Sequence, residues 1–498
     1  MSAVSSNLPQ NLYRSNQVRE LDRIAINELN IPGQTLMERA GMAAFSVICT
    51  CWPDARRIAV VCGGGNNGGD GYVVARLAWE AGYKVNVGYT VNPDKLQGDA
   101  RTAADKLTKA GVVPGPVTTT MLENSEVIVD ALFGTGLDRN VSGEMCNVIE
   151  AINAATATVM AIDIPSGLNA DTGQVMGICV RANATISFIG LKQGLFTGQG
   201  PDCIGRIFFD DLGVPAEIYA KVPVTSHRIS LETQLGYLQP RPRSAHKGHF
   251  GHVLIIGGDL GYSGAPGMAA EAAARVGAGL VSLATRPGNA ASITNLRPEI
   301  MAHGIEKPSD ILPLINKANV IAIGPGLGQS EWSKMLFARV LETRHPLIVD
   351  ADALNLLAAD PVRQSRWLLT PHPGEAARML DIDTTRLQAD RFTAIHTLQE
   401  KYGGVIVLKG SGSLIADQDG EVYVCDGGNP GMATGGMGDV LTGVLAGLVA
   451  QGLTLSRAAT LGVCLHARAG DEAAAEGGER GMLATDLMPW LRRLVNPV

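Results

Sequence analysis

The chain has 498 residues, 46% of them hydrophobic, which is enough for two domains of ordinary size with buried cores. Its 41 lysines and arginines against 48 aspartates and glutamates leave a net charge of −7, and no long Lys/Arg run marks a nucleic-acid surface. Aromatic residues at 5% are too few for a base-stacking platform, while 60 glycines point to tight turns and close backbone approaches.

Met1 to Glu20 has neither a basic start nor an apolar run, so no secretory leader and a cytoplasmic location are expected. Residues 16–29 and 35–49 read as amphipathic helices separated by Ile31-Pro32-Gly33. Short β-branched runs at 58–62, 84–90, 127–130, 158–163 and 184–188 then alternate with helical patterns such as 71–81 and 98–110. That alternation predicts a parallel α/β sheet. Gln239-Pro240-Arg241-Pro242-Arg243-Ser244 is polar and Pro-broken, and reads as a linker with the boundary at about 225–245. A second series of strands is expected at 253–256, 280–284, 320–323, 347–349, 367–369 and 405–408. Runs at 414–416 and 422–425 add a small antiparallel piece, followed by helices at 439–450 and 455–475.

The longest apolar stretches, such as 440–450, fall short of the ~20 residues that span a bilayer. The eight cysteines form no CxxC pair and no disulfide framework. His246, His249 and His252 give no clean metal-ligand set at their spacing beside a strand, and a polar domain entry is expected there.

Cys62-Gly63-Gly64-Gly65-Asn66-Asn67-Gly68-Gly69-Asp70-Gly71 follows an apolar strand and precedes a helix. Backbone N–H groups and a helix N-terminus meet an anion at such a place in a doubly wound sheet. The motif is neither GxGxxG nor a P-loop, and its ten residues hold more glycine than a plain strand-to-helix turn requires. Two further strands end in carboxylates, Asp130 before Ala131-Leu132-Phe133-Gly134-Thr135-Gly136-Leu137, and Asp163 before Ile164-Pro165-Ser166-Gly167-Leu168. Either aspartate alone reads as a cap or turn former; beside a glycine cradle, the pair reads as a site. Oxygens of Asn, Asp and Ser converging there can hold a hard cation.

GGGNNGGDG, VDALFGTGL and AIDIPSGLNADTG, with the opening QVRELDRIAINELNIPGQTLMERAG, resemble the amino-terminal domain of the NAD(P)H-hydrate repair enzymes over about residues 12–220. The resemblance implies an epimerase that interconverts the R and S forms of NADHX and NADPHX, cofactors hydrated on the nicotinamide ring. Carried over by position, Asn66, Asn67, Gly68, Gly69 and Asp70 would cradle the dinucleotide together with Gly134, Thr135, Gly136, Leu137, Asp138, Arg139 and Asn140. Asn67, Asp130 and Ser166 would hold a potassium ion. Asp163 would face the substrate and is the expected acid/base.

In the second half, Asn429-Pro430-Gly431-Met432-Ala433-Thr434-Gly435-Gly436-Met437-Gly438-Asp439 opens an apolar helix. Its glycines expose unpaired N–H groups to a phosphate, and Asp439 is placed to take a proton from a hydroxyl attacking phosphorus. The plain alternative is an aspartate helix cap. This pattern resembles the ribokinase-like superfamily. Gly324-Pro325-Gly326-Leu327-Gly328, Asp350-Ala351-Asp352-Ala353-Leu354-Asn355 and Thr370-Pro371-His372-Pro373-Gly374-Glu375 narrow the resemblance to the dehydratase domain of the same repair enzymes, over about residues 235–495.

That domain converts S-NAD(P)HX to NAD(P)H, with ADP as donor in bacterial relatives, by phosphorylation of the ring hydroxyl and elimination of phosphate, giving AMP. By position, Ala265, Gly326, Gly328, His372 and Asp439 would contact the hydrated cofactor. Lys409, Gly410, Ser411, Gly412, Ser413, Gly435, Gly436 and Gly438 would contact the nucleotide, with Glu375 on the magnesium side.

The expected fold is therefore α/β: a Rossmann-like doubly wound domain over 1–225 and a ribokinase-like domain over 235–498. The expected partners are NADHX, NADPHX and ADP, with K+ and Mg2+ as cofactors, no nucleic acid and no membrane. A homo-oligomer is the expected assembly. Two other readings stay open on the residues: a small-metabolite kinase, and a binding scaffold like those of mRNA decapping. The retained Asn67, Asp130 and Asp163 count against the scaffold, and the HPGE and DADAL segments count against the kinase.

Overall fold

The computed structural model describes residues 8–224 and 226–496, so the first seven residues of the Met1–Glu20 stretch lie outside it. The chain divides into two units, Met1–Ser226 and His227–Val498. In the first unit the β-branched runs become β1 (Arg57–Cys62), β2 (Lys84–Tyr89), β3 (Gly115–Pro116), β4 (Val127–Ala131), β5 (Thr158–Ile162), β6 (Ala184–Phe188) and β7 (Arg206–Asp210). They form one parallel sheet in the order β3-β2-β1-β4-β5-β6-β7. The chain thus winds outward one way from β1 and the other way from β4. The crevice beyond their carboxyl ends is where such sheets bind ligands. The helices α1 (Ser15–Asn27), α2 (Gly33–Cys51), α3 (Asn66–Glu80) and α4 (Gly98–Lys109) place apolar side chains in one core against the sheet, and Ile149 and Ile152 belong to a second.

The second unit runs β8 (His252–Ile256), β9 (Leu280–Thr285), β10 (Met301–Gly304), β11 (Val320–Ile323), β12 (Leu347–Val349), β13 (Trp367–Leu369), β14 (Val405–Leu408), β15 (Ser413–Ala416) and β16 (Val422–Cys425). Their order is β10-β9-β8-β11-β12-β13-β14-β15-β16, parallel as far as β14 and antiparallel beyond it. A second switch point therefore lies between β8 and β11.

Several expectations are corrected. Helix α3 begins at Asn66, five residues before the expected start, so the last six residues of the glycine motif are helical. The helix expected from Asp439 begins at Met437. The short strands β3, β7 and β10 were not anticipated. The 239–244 segment is no free linker: Arg241 lies 3.7 Å over the Phe250 ring and donates to Gly277 O and Gln451 Oε1, each at 2.6 Å. All eight cysteines are free. His246 accepts from Gly248 N–H and packs on His249, while His252 bonds Ser282 Oγ at 2.8 Å. Among the described residues no group of three metal-ligating side chains comes together, and no helix is long and apolar enough to cross a membrane.

Candidate active sites

The loop after β1 passes so close to the loop after β4 that no side chain fits between them. Gly63 N–H donates to Ala131 O at 2.9 Å, and a Cβ on Gly63 would fall 1.9 Å from Leu132 O. A Cβ on Gly68 would fall 2.1 Å from Gly63 O. The N-terminus of α3 is thereby set directly at the switch point, where its unpaired N–H groups and dipole favour an anion.

A cavity of about 780 Å³ opens there. Of the expected substrate-binding residues, Asn66, Asn67, Asp70, Gly134, Thr135, Gly136, Leu137, Asp138, Arg139, Asn140 and Asp163 line it. Gly68 and Gly69 do not line it. They are buried packing positions of α3, and a Cβ on Gly69 would sit 2.5 Å from Met37 Cε.

Asp130 and Ser166 are fully buried. The Ser166 hydroxyl donates to Asp130 Oδ1 at 2.6 Å and its N–H to Oδ2 at 2.8 Å, while Leu132 N–H reaches Oδ1 at 3.2 Å. Burial nonetheless raises the Asp130 carboxyl to about 6, against those three donors. The buried Asn67 amide has no hydrogen-bond partner for either polar atom.

Two residues that the sequence reading passed over complete this site. Lys192 is fully buried at the end of a short parallel pair, Asn11–Tyr13 with Leu191–Lys192. Its ammonium pairs with Asp163 and donates to Ser187 Oγ at 3.1 Å and Phe188 O at 3.2 Å. Asp22, from α1, lines the cavity with Asp70 and Asp163. Burial raises Asp22 to about 6, offset by Lys192 and reinforced by Asp163. Burial, with the charges of Asp163 and Asp22, holds Asp70 well above the carboxylate range. A lone lysine inside the apolar run 186–196 was the available signal for Lys192.

In the second unit, Gly436 caps the Met437–Ala450 helix in the left-handed region at φ 94°, where a side chain would meet Met268 and Ala484. Asp439 is therefore in the first helical turn and is not the cap, which removes the plain alternative for it. Lys409 follows β14, and its ammonium lies 3.1 Å from where a Cβ on Gly438 would stand. It donates to Asp350 Oδ1 at 2.8 Å, and Thr442 Oγ1 donates to Asp350 Oδ2 at 2.8 Å. Burial raises Asp439 to about 7, with the Asp350 charge adding to it and Lys409 opposing it.

Among the expected cofactor-contacting residues, Gly328 and His372 lie beside further carboxylates, Asp352 and Glu375. Gly328 N–H donates to Asp352 Oδ2 at 2.8 Å, and Ala265 stands beside Gly326. His372 caps the Pro373–Leu380 helix through Nδ1, accepting from Gly374 and Glu375 N–H. Glu375 accepts from His372 N–H at 2.8 Å and lies 3.9 Å from Lys409. Burial raises Glu375 to about 7, against the Lys409 charge. One of its oxygens thus holds the His372 N–H, and the other lies 3.4 Å from His372 Nε2.

The loop Lys409, Gly410, Ser411, Gly412, Ser413 is held from behind by buried Arg391, another residue the sequence reading missed; it donates to the Leu408, Lys409 and Gly412 carbonyls. A Cβ on Gly435 would meet open space.

Two family models match the chain: one described as YjeF-related protein N-terminus, over residues 33–194, and one described as NAD(P)H-hydrate dehydratase, over residues 253–493. A bifunctional NAD(P)H-hydrate repair enzyme of Coxiella burnetii is 51% identical over 98% of this chain and 99% of its own length. Its Escherichia coli counterpart is 43% identical, over 98% of this chain and 95% of its own. Among solved structures, a ribokinase-like superfamily protein of Enterococcus faecalis is 31% identical with a TM-score of 0.51, covering 54% of this chain and 95% of that one.

Proposed function

Because the chain belongs to the bifunctional NAD(P)H-hydrate repair enzymes, we propose that the cavity at the first switch point is its epimerase site and the Gly436–Asp439 turn its dehydratase site. The chain repairs hydrated nicotinamide cofactors by these two activities. The observation that carries the site assignment is that the first switch point, and in the second unit the carboxyl ends of β12 and β14, each present a glycine-built helix N-terminus beside part-buried carboxylates of raised proton affinity.

In the epimerase site, Asp163 faces the substrate as the acid/base. Asp163→Asn is expected to slow epimer exchange at least a hundredfold while NADH recovery from the S epimer continues. Unchanged exchange of R- and S-NADHX, followed by chromatography, would show the assignment to be wrong.

A potassium ion fits the oxygens beneath this cavity. Asn67 has an unpartnered amide oxygen, and the carboxylate of Asp130 and the hydroxyl of Ser166 are hard donors close by. Bound there, the cation supplies positive charge against the buried Asp130. Asp130→Asn is expected to blunt the response of epimerisation to added KCl, read against a choline salt at equal ionic strength.

In the dehydratase site, Asp439 accepts the proton of the ring hydroxyl as its oxygen attacks the terminal phosphorus of ADP and AMP departs. Loss of phosphate, with a ring proton, then restores the double bond. Lys409 sits beside Gly438 where phosphate charge lies, and backbone N–H groups of the turn face the same place. Magnesium would arrive on the nucleotide phosphates, since it keeps water and takes few protein carboxylates.

The raised affinity of Asp439 fixes the sign of the pH dependence. Its basic form exists only as pH climbs through about 7, so turnover rises through that range and levels above it. A flat kcat profile between about pH 5.5 and 8.5 would remove the base role. The whole reading is tested by incubating pure protein with mixed NADHX epimers, Mg2+ and ADP or ATP. Full recovery of NADH absorbance from both epimers is expected, with ADP the better donor.

A further inference from the structure

Epimerisation returns a stereoisomer of its substrate, so any proton taken in one step is given back in another. The site therefore needs one group held ready to accept and another holding a proton to donate. Five aspartates line the first cavity, with Arg19 and Arg139. Three of the five, Asp22 from α1, Asp70 from α3 and Asp163 after β5, repel one another, and Lys192 is the cation that opposes them. Lys192 is 1% exposed and spends its three N–H bonds on Asp163, Ser187 and Phe188. It cannot reach a ligand itself. Asp163 stands at φ 69°, a left-handed conformation unusual for a side-chain-bearing residue, and its N–H donates to Ile186 O at 2.7 Å. One carboxylate oxygen meets Lys192; the other is 3.4 Å from where a Cβ on Gly134 would stand, at the cavity wall. Among the described residues, neither Asp22 nor Asp70 makes an ion pair.

We propose that Lys192 is the positioning residue of the epimerase site: its buried ammonium locks Asp163 in the left-handed strand-end conformation with one oxygen facing the substrate, and leaves Asp22 and Asp70 in the same cavity to carry the exchangeable proton. The assignment rests on the epimerase reading of this cavity. Two like charges crowded into one pocket cannot both ionise, and a cation joined to one member decides which member does. Burial and the neighbouring charges push both Asp22 and Asp70 toward the protonated form, in keeping with that division of roles.

The test uses the full-length chain. Lys192→Met keeps the length of the side chain and removes the charge. It is expected to lower kcat for epimer exchange a hundredfold or more, leave KM within about threefold, and move the acidic limb of the kcat profile to higher pH. Asp22→Asn and Asp70→Asn are expected to lower kcat over the range where the wild-type acid holds its proton, and so to flatten the alkaline limb of the same profile. If Lys192→Met does not fold, as read by circular dichroism, Ser187→Ala supplies the measurement. It keeps the ammonium, frees one of its three bonds, and is expected to lower kcat several-fold at unchanged KM. Wild-type kcat in folded Lys192→Met, or a loss of rate with an unmoved pH profile, overturns the proposal, as does unchanged kcat in Ser187→Ala where that variant is needed. Absence of exchange in the wild-type protein would instead overturn the epimerase reading itself.

Discussion

Asp439→Asn is expected to lower ADP-dependent NADH recovery by 10²–10⁴-fold, about 3–5 kcal/mol of barrier, and to leave epimer exchange untouched. The residue stands in the first turn of a helix whose cap is Gly436, so no capping bond is lost with the carboxylate. Its neighbours are acids: Asp350, Asp352 and Glu375 all raise its proton affinity, and Lys409 alone opposes them. Asn removes a group that burial and these charges disfavour when ionised. The melting temperature at pH 8 is thus expected to hold or rise while turnover collapses. A purely structural residue would show the reverse, with lower stability and turnover kept. Near-normal turnover in the folded variant excludes the catalytic role.

The second large effect is expected at Asp350. Its carboxylate is almost wholly buried, with the Lys409 ammonium on one oxygen and the Thr442 hydroxyl on the other. Asp350→Ala strands a part-buried lysine whose remaining anionic neighbours are Glu375, 3.9 Å away, and Asp439. Breaking one half of a buried pair costs about 3–5 kcal/mol. It also frees Lys409 to swing from Gly438 toward Glu375, so dehydratase activity is expected to vanish with the stability. The double variant Asp350→Asn/Lys409→Met removes both charges; denaturant unfolding is expected to return most of the stability, and the enzyme assay none of the activity. Wild-type stability in Asp350→Ala would show that the pair contributes nothing.

The inner strands of both sheets were legible, and the edge strands β3, β7 and β10 were not, because strands covered on two faces are written as short β-branched runs, as at 127–130 and 405–408. The helix starts at Gly98 and Leu455 were legible too, but those inside the two glycine motifs were not. Each glycine in a helix costs about 1 kcal/mol of propensity, which argued against beginning α3 inside Asn66-Asn67-Gly68-Gly69. Packing decides otherwise: the lack of side chains at Gly68 and Gly69 lets the helix close on Gly63 and Met37.

The strand-end acids and glycine turns were readable as a site because they occur in consecutive letters. The partners that set their charge were not. Lys192 lies 29 positions from Asp163, and Lys409 lies 59 from Asp350. Neither pairing leaves a local pattern; only the winding of the sheets brings them together. His372 shows the opposite limit: its place between two prolines was visible, but its capping bond to Gly374 required the helix that follows.

On the assignment proposed above, main-chain N–H groups at two glycine-built helix starts meet the anionic ligand, and such groups neither gain nor lose protons over the range in which enzymes work. Recognition and chemistry are thereby assigned to different parts of the molecule: the backbone grips, the carboxylates titrate. Acidification should therefore slow both reactions without loosening the grip, so that acid-stalled enzyme remains loaded and resumes as soon as the pH recovers.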